Sequence, residues 1–170
     1  AVDTLCGRLA SSDRVYDAAF SRAGFVRVSD IDEVFEAAET VSRFRAGPGG
    51  RLAVVASGRS LASLAVDRLA ARSGHLASPD DATLTALAPL VRRNIQPANP
   101  VILEDDAAPD THAAAVAALL ADRSVDGVLA TAAPPPFSPV APLVDALIAA
   151  AAAHRRQALR PKPVLAVLLG

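Results

Sequence analysis

Apolar positions recur at helical spacing near the start of this chain. From residue 13, DRVYDAAFSRAG places Val15, Tyr16, Ala19 and Phe20 on one helical face, with Ser12 or Asp13 as cap and Gly24 as stop. FVRV at 25–28 alternates as a strand does, and Ser29 is expected to cap a second helix, DIDEVFEAAETVSRF. Its Asp30, Asp32 and Glu33 suit the positive N-terminal pole. RAGPGG at 45–50 combines three glycines with a proline, which predicts a boundary between residues 1–45 and 46–170.

Beyond that boundary the pattern alternates between strands and helices. RLAVVAS is an unbroken apolar run, as expected of a parallel strand covered on both faces. LASLAVDRLAARSG follows as a helix. SPDDATLTALAPLV is read as a second helix, with a Ser cap, Pro at the first position and two acids in the first turn. NPVIL, VDGVLATAA and KPVLAVLLG read as strands, DTHAAAVAALLAD and PLVDALIAAAAAHRRQ as helices. Four strands alternating with helices predict an α/β, flavodoxin-like parallel sheet with helices on both faces, preceded by a partial helix-strand-helix unit. That unit cannot bury its apolar faces with one strand, so it is expected to dock on other segments or to support a homodimer. APPPFSP at 133–139 is a loop on the ligand side of the sheet, and the alanines at 149–153 mark a closely packed helix surface.

Composition narrows the function classes. The 17 Lys and Arg balance 18 Asp and Glu, so there is no basic field for a nucleic-acid partner. Apolar residues make up 52% and aromatics 4%, so Ala, Leu and Val must build the core. No run approaches a bilayer span, and Cys6 is the single cysteine, so a cytoplasmic, reducing location without membrane contact is expected. The chain lacks an initiator Met and stops at LAVLLG, which reads as an excised piece of something longer.

Candidate chemistry is sparse. Ser57, Gly58, Arg59 and Ser60 lie between a strand and a helix, where consecutive N–H groups at a helix N-terminus can cradle a phosphate. One glycine is fewer than a phosphate loop uses. The alternative is an ordinary turn with Gly58 in a tight conformation and Ser60 as helix cap. His75 is read in a loop, His112 in the first turns of an Ala-rich helix and His154 among cations at a helix end, all solvated and none at metal-site spacing, so no metal is assigned. Glu104, Asp105 and Asp106 read as a solvated loop rather than a cation site. Cys6 has no adjacent base that would make it a nucleophile.

Read together, GRLASSDRVYDAAFSRAGFVRVSDIDEVFEAAETVSRF, GGRLAVVASGRSLASLAVD, ANPVIL, AALLADRSVDGVLA and KPVLAVLLG resemble the NDP-forming (ADP-forming) acyl-CoA synthetases, a succinyl-CoA-synthetase-like family, including the synthetase-like region of two-part bacterial protein lysine acetyltransferases. The resemblance implies that residues 1–45 are the C-terminal part of one CoA-ligase flavodoxin-like domain and 46–170 a second. In register, the family's phosphohistidine falls on Leu5, the following Thr on Cys6 and its Gly on Gly7. The family's loop, approximately Thr-Asn-Gly-Gly-Gly-Pro-Gly, falls on Ala56 to Ala62, where Gly58 alone keeps a glycine. A leucine cannot accept a phosphoryl group, so no catalytic residue is assigned. The expectation is a catalytically degenerate synthetase-like module, with Ser57, Gly58, Arg59 and Ser60 a relic cradle. CoA, acyl-CoA, ADP or ATP are its possible ligands in a parent protein, with CoA-binding, ATP-grasp or GNAT domains as its neighbours. The alternative is a fragment of an active ligase converting an acyl-CoA, ADP and phosphate to acid, CoA and ATP, with His75 as a candidate acceptor.

Overall fold

The computed structural model describes residues 12–43, 50–135 and 138–169, and its contacts divide the chain into Ala1–Arg45 and Ala46–Gly170. The proposed linker, apart from Gly50, lies outside the described residues.

In the first unit, α1 spans Asp13–Ala23 and α2 spans Ile31–Arg43. Gly24 ends α1 at φ 73°, where its N–H reaches Ser21 O (3.2 Å) and the Phe25 N–H reaches Phe20 O (2.9 Å). A left-handed glycine closing the last carbonyls is a common helix stop, and the Phe25 ring packs edge-on against Phe20. FVRV is not a strand, contrary to its alternation. A strand needs a neighbour for its N–H and C=O groups, and among the described residues of this unit there is none. The segment is tied down by a side chain instead, with Arg27 bridging Asp13 (3.0 Å) and Asp17 (2.5 Å), one turn apart on α1. The cap of α2 also differs from expectation. Asp30 Oδ1 accepts from the Glu33 N–H (2.8 Å) while Glu33 Oε2 accepts from the Ser29 N–H (2.5 Å), so Asp30 caps and Glu33 reaches back.

The second unit contains β1 (Arg51–Ser57), α3 (Arg59–Ala71), β2 (His75–Leu76), α4 (Asp81–Leu87), β3 (Val101–Leu103), α5 (Pro109–Ala121), β4 (Gly127–Ala132), α6 (Ala141–Gln157) and β5 (Val164–Leu168). All pairings are parallel, with β4 between β1 and β5. β2 pairs with Arg51 and Leu52, and β3 with Val55 to Ser57, on the edge of β1 opposite β4. Two short strands thus share one edge in succession. The gap between them is filled by Asn99. Its Oδ1 accepts from the Val54 N–H (2.9 Å), and its Nδ2 donates to Leu52 O (3.0 Å) and Ala77 O (2.8 Å). One side-chain amide supplies the donor and acceptor that a third strand residue would have offered.

Alternation along β1 separates two cores. Ala53 and Val55 face Leu87 of α4, Ala115, Val116, Leu119 and Leu120 of α5, and Leu143 and Leu147 of α6. Val54 and Ala56 face Ala62 of α3, with Leu52, Leu61, Ala65 and Ile102 around them. Right-handed crossovers require this split, because the chain leaves β1 toward β2 in one direction and passes from β3 through β4 to β5 in the other. The direction reverses at β1, and the carboxyl ends of β1 and β4 flank the crevice where ligands of such sheets collect. In α6, Ala150 packs against the larger core. Two helix starts differ from the sequence reading. α4 is capped by Asp80, whose carboxylate accepts from the Thr83 N–H (2.7 Å), rather than by Ser78, and Pro79 lies ahead of the cap. α3 starts two residues before Leu61, which places Ser60 inside its first turn. Among the described residues no helix is long and apolar enough to cross a membrane.

Candidate functional site

The turn leaving β1 is built by one glycine. Gly58 has φ 81° and ψ 164°, a conformation that only glycine adopts readily, and it brings the chain from the buried strand directly into α3. Ser60 is exposed at the second helical position and is not the cap; no side chain bonds to the first turn of α3. Arg59 is likewise exposed.

Two contacts decide what this turn can hold. The Gly58 N–H, which a cradle would direct at an anion, donates to Leu103 O (3.2 Å). The Asp105 carboxylate lies against the same residue, so close that a Cβ on Gly58 would sit 2.1 Å from Asp105 Oδ1. That carboxylate is held by Arg92 Nη1 (2.6 Å), and the same guanidinium lies 3.4 Å from Glu104. Hydrogen bonding to Asp105, with the charges of Asp105 and Glu104, raises the Arg92 pKa. The acidic run lies in a solvated turn between β3 and α5, as expected, and within it Asp105 and Glu104 pair with Arg92. Among the described residues no group of three or more His, Cys, Asp or Glu is placed to hold a metal ion. A negative group at the turn disfavours a phosphate there by direct repulsion.

Ser57 points to the other face. Its Oγ lies 2.8 Å from His112 Nε2, and His112 Nδ1 lies 3.2 Å from Ala108 O. With Nδ1 donating to that carbonyl, Nε2 accepts the serine proton. His112 is 2% exposed and Ser57 8%, so the expected solvated histidine is a buried one that joins α5 to the carboxyl end of β1. Burial lowers its pKa. The signal was in the sequence: His112, Ala115, Val116 and Leu119 share one helical face. His154 is also half-buried, accepting from the Lys162 N–H (3.3 Å), and burial followed by the Lys162 charge lowers its pKa. His75 is exposed but pairs with Arg51 at the amino end of β1, the opposite end of the sheet from the turn, and not on the ligand side. Leu5, Cys6 and Gly7 lie outside the described residues, as do Pro136 and Phe137 of the proline-rich loop.

Of the four turn residues, Arg59 borders a cavity. A groove of about 540 Å³ runs beside α3, lined by Arg59, Ala62, Ser63, Val66 and Asp67 on one wall and by Asn94, Ile95, Gln96, Pro100 and Ile102 on the other. Sequence reasoning missed it: Pro100 and Ile102 of its second wall read as part of the strand NPVIL, and Asn94, Ile95 and Gln96 have no assigned role.

Residues 1–41 match the family model of the succinyl-CoA ligase like flavodoxin domain. The alpha subunit of an ADP-forming acetate–CoA ligase I from Pyrococcus furiosus is 33% identical over 70 residues, 41% of this chain and 15% of that protein. A dinucleotide-forming acetyl-coenzyme A synthetase 1 of Ca. Korarchaeum cryptofilum, solved with phosphate and ADP, superposes with a TM-score of 0.79 at 20% identity, over 95% of this chain and 34% of that one. A protein of Pyrococcus horikoshii OT3 gives 0.79 at 25% identity, over 95% and 36%. The chain therefore spans about a third or less of the length of these relatives. The chain is thus similar in sequence, over part of its length, to ADP-forming, succinyl-CoA-ligase-like acyl-CoA synthetases, and it shares the α/β flavodoxin-like fold of the solved neighbours.

Proposed function

We propose that residues 1–170 form a catalytically silent acyl-CoA-synthetase-like module, a regulatory or acyl-CoA- or nucleotide-binding part of a larger synthetase or protein acetyltransferase. In it, residues 1–45 belong to one CoA-ligase flavodoxin-like domain and 46–170 to the next. The observation that carries this reading is the turn after β1: its single glycine spends its N–H on Leu103 O, and the Asp105 carboxylate lies against it. Catalysis of phosphoryl transfer rests on preorganised donors and positive charge where the phosphate sits, and here a donor is consumed and a negative charge is added. Leu5 at the phosphohistidine position points the same way. Restoring Leu5→His alone is expected to leave the module silent. The neighbours would be CoA-binding, ATP-grasp or GNAT domains, or a second copy, in a cytoplasmic, reducing compartment.

The alternative is an active ligase fragment that takes its phosphoryl group elsewhere on the chain. Its candidate acceptor, His75, lies at the wrong end of β1, and His112 is buried and engaged with Ser57. Incubating the full-length protein with γ-labelled ATP separates the two readings. No label on residues 1–170 is expected, and an acid-labile label on any of their histidines would overturn the proposal.

A further inference from the structure

At the carboxyl end of β1 a serine hydroxyl and an imidazole are paired away from bulk solvent. Ser57 Oγ lies 2.8 Å from His112 Nε2, and His112 Nδ1 lies 3.2 Å from Ala108 O. An Nδ1–H that donates to a carbonyl leaves the Nε2 lone pair facing the hydroxyl, so the ring is held in the tautomer of a general base. Neither group sits on a loose segment. Ser57 is the last residue of β1, in register with Leu103 of β3, and His112 is in the first turns of α5. Burial disfavours the charged imidazole, the Ala108 carbonyl acts the other way, and no charged side chain among the described residues adds to the shift. The charged groups at the turn, Asp105 and Arg92, pair with each other. Packing alone does not call for this pair, since Ala53 and Val55 fill the same face of β1 with apolar side chains. A nucleophile within hydrogen-bond reach of a base, itself oriented by a third group, is the arrangement that activates a serine. The chain then passes through Gly58 (φ 81°) into α3, a strand–turn–helix that leaves Ser57 at the end of the sheet where such folds meet their substrates.

We infer that Ser57 is an acyl-accepting nucleophile, with His112 as its base, toward small neutral acyl thioesters. Oγ attacks the thioester carbonyl carbon while its proton passes to His112 Nε2. The C–O bond forms, the C–S bond breaks, and the thiolate leaves with the proton that His112 had taken, giving an acyl-serine and a free thiol. A water then gives its proton to His112 in turn, attacks the acyl carbon and releases the acid and the serine hydroxyl. The donor must be small because Ser57 is only 8% exposed. It must be neutral because the Asp105 carboxylate lies against the adjoining Gly58 and repels an anion such as an acyl phosphate. A thiolate leaves readily, whereas an amide would need strong oxyanion stabilisation. The donor that hydrolase turns use for that, the N–H of the residue after the nucleophile, is here spent on Leu103 O (3.2 Å). Both steps lack it, so acylation is slow and the acyl-serine persists. The step uses no phosphate, so silence in phosphoryl transfer stands or falls independently of it.

Incubating the full chain with S-acetyl-N-acetylcysteamine, a thioester without phosphate, and mapping the acetyl group by peptide mass spectrometry tests the inference. Acetylation at Ser57 is expected, absent in Ser57→Ala and slowed roughly a hundredfold or more in His112→Gln, the worth of a positioned base. Its rate should rise with pH and level off by about pH 6.5, because a histidine whose pKa is lowered is already in its base form there. A serine without a base would keep accelerating with hydroxide. The mapped site and the pH profile come from the wild-type chain, so they decide the matter even if a variant fails to fold. An unlabelled Ser57, with acetyl groups confined to Lys162 or to exposed serines, would overturn the inference. So would a rate that climbs steadily through neutral and alkaline pH, or a folded His112→Gln that labels as fast as wild type.

Discussion

Gly58 and His112 show how single residues set the character of the carboxyl end of the sheet. Gly58→Ala has two costs, a φ of 81° that alanine resists and a Cβ in the place of the Asp105 carboxylate. Because that carboxylate is the end of a largely exposed side chain and can rotate away, the backbone term should dominate, at about 1–3 kcal/mol by chemical denaturation. Adding Asp105→Ala should recover only a minor part, and full recovery would show that the close contact, not the backbone, was the constraint. His112 contributes a pH dependence whose sign follows from burial. Its folded pKa lies below the unfolded value, so the stability it allows is present above about pH 6.5 and is lost as pH falls below that toward the folded pKa. His154, shifted in the same direction, adds to the same window. His112→Gln should flatten the acid side of the stability profile measured by urea midpoints, leaving the part due to His154; an unchanged slope would mean that His112 is not held neutral. The tight glycine was legible in the sequence because a strand ran directly into a helix. The Ser57–His112 pair was not, because its partners are 55 positions apart and the polar flank of the helix start disguised an inward-facing histidine.

At the scale of elements, the strands and long helices followed from pattern alone: β1, β4 and β5 are apolar runs, and α5 and α6 stop where their periodicity stops. The errors fell where structure depends on a partner rather than a pattern. FVRV alternates but has no ladder to join among the described residues, and β2 has two residues, too few for any period to register. Caps also moved by a residue or two, to Asp30 and Asp80, since each competing Ser and Asp offers an acceptor and only the chain's path selects among them. The clearest case of partner dependence is Asn99, read in the sequence as part of a strand approach and found to complete the edge of β1 between β2 and β3. Asn99→Ala takes the partner from the Val54 N–H and from Ala77 O in a half-buried position, while Leu52 O keeps the Ala77 N–H (2.9 Å). The expected loss is about 2–3 kcal/mol, from unsatisfied backbone groups rather than lost packing. Equilibrium unfolding measures it, and a loss under about 0.5 kcal/mol would mean that water takes over the role of the amide.

For the whole molecule, the first unit presents Val15, Tyr16, Phe25, Val26, Ile31, Val34, Phe35 and Val41 to solvent, far more apolar surface than two short helices need expose. Self-association of residues 1–170 that grows with concentration in sedimentation velocity is expected, and Phe35→Ser should reduce it. A strictly monomeric chain at high concentration would argue that these side chains need no cover. The second unit, by contrast, closes two cores on one sheet and places the turn after β1 at the crevice of a fold shared with a solved acetyl-CoA synthetase, whereas catalytic silence is what we propose for it. The most direct test of that contrast is to supply the full-length protein with ATP, CoA and acetate and follow acetyl-CoA. The account predicts no formation above the enzyme-free control, with or without Leu5→His. Sustained acetyl-CoA production that depends on residues 1–170 would contradict it.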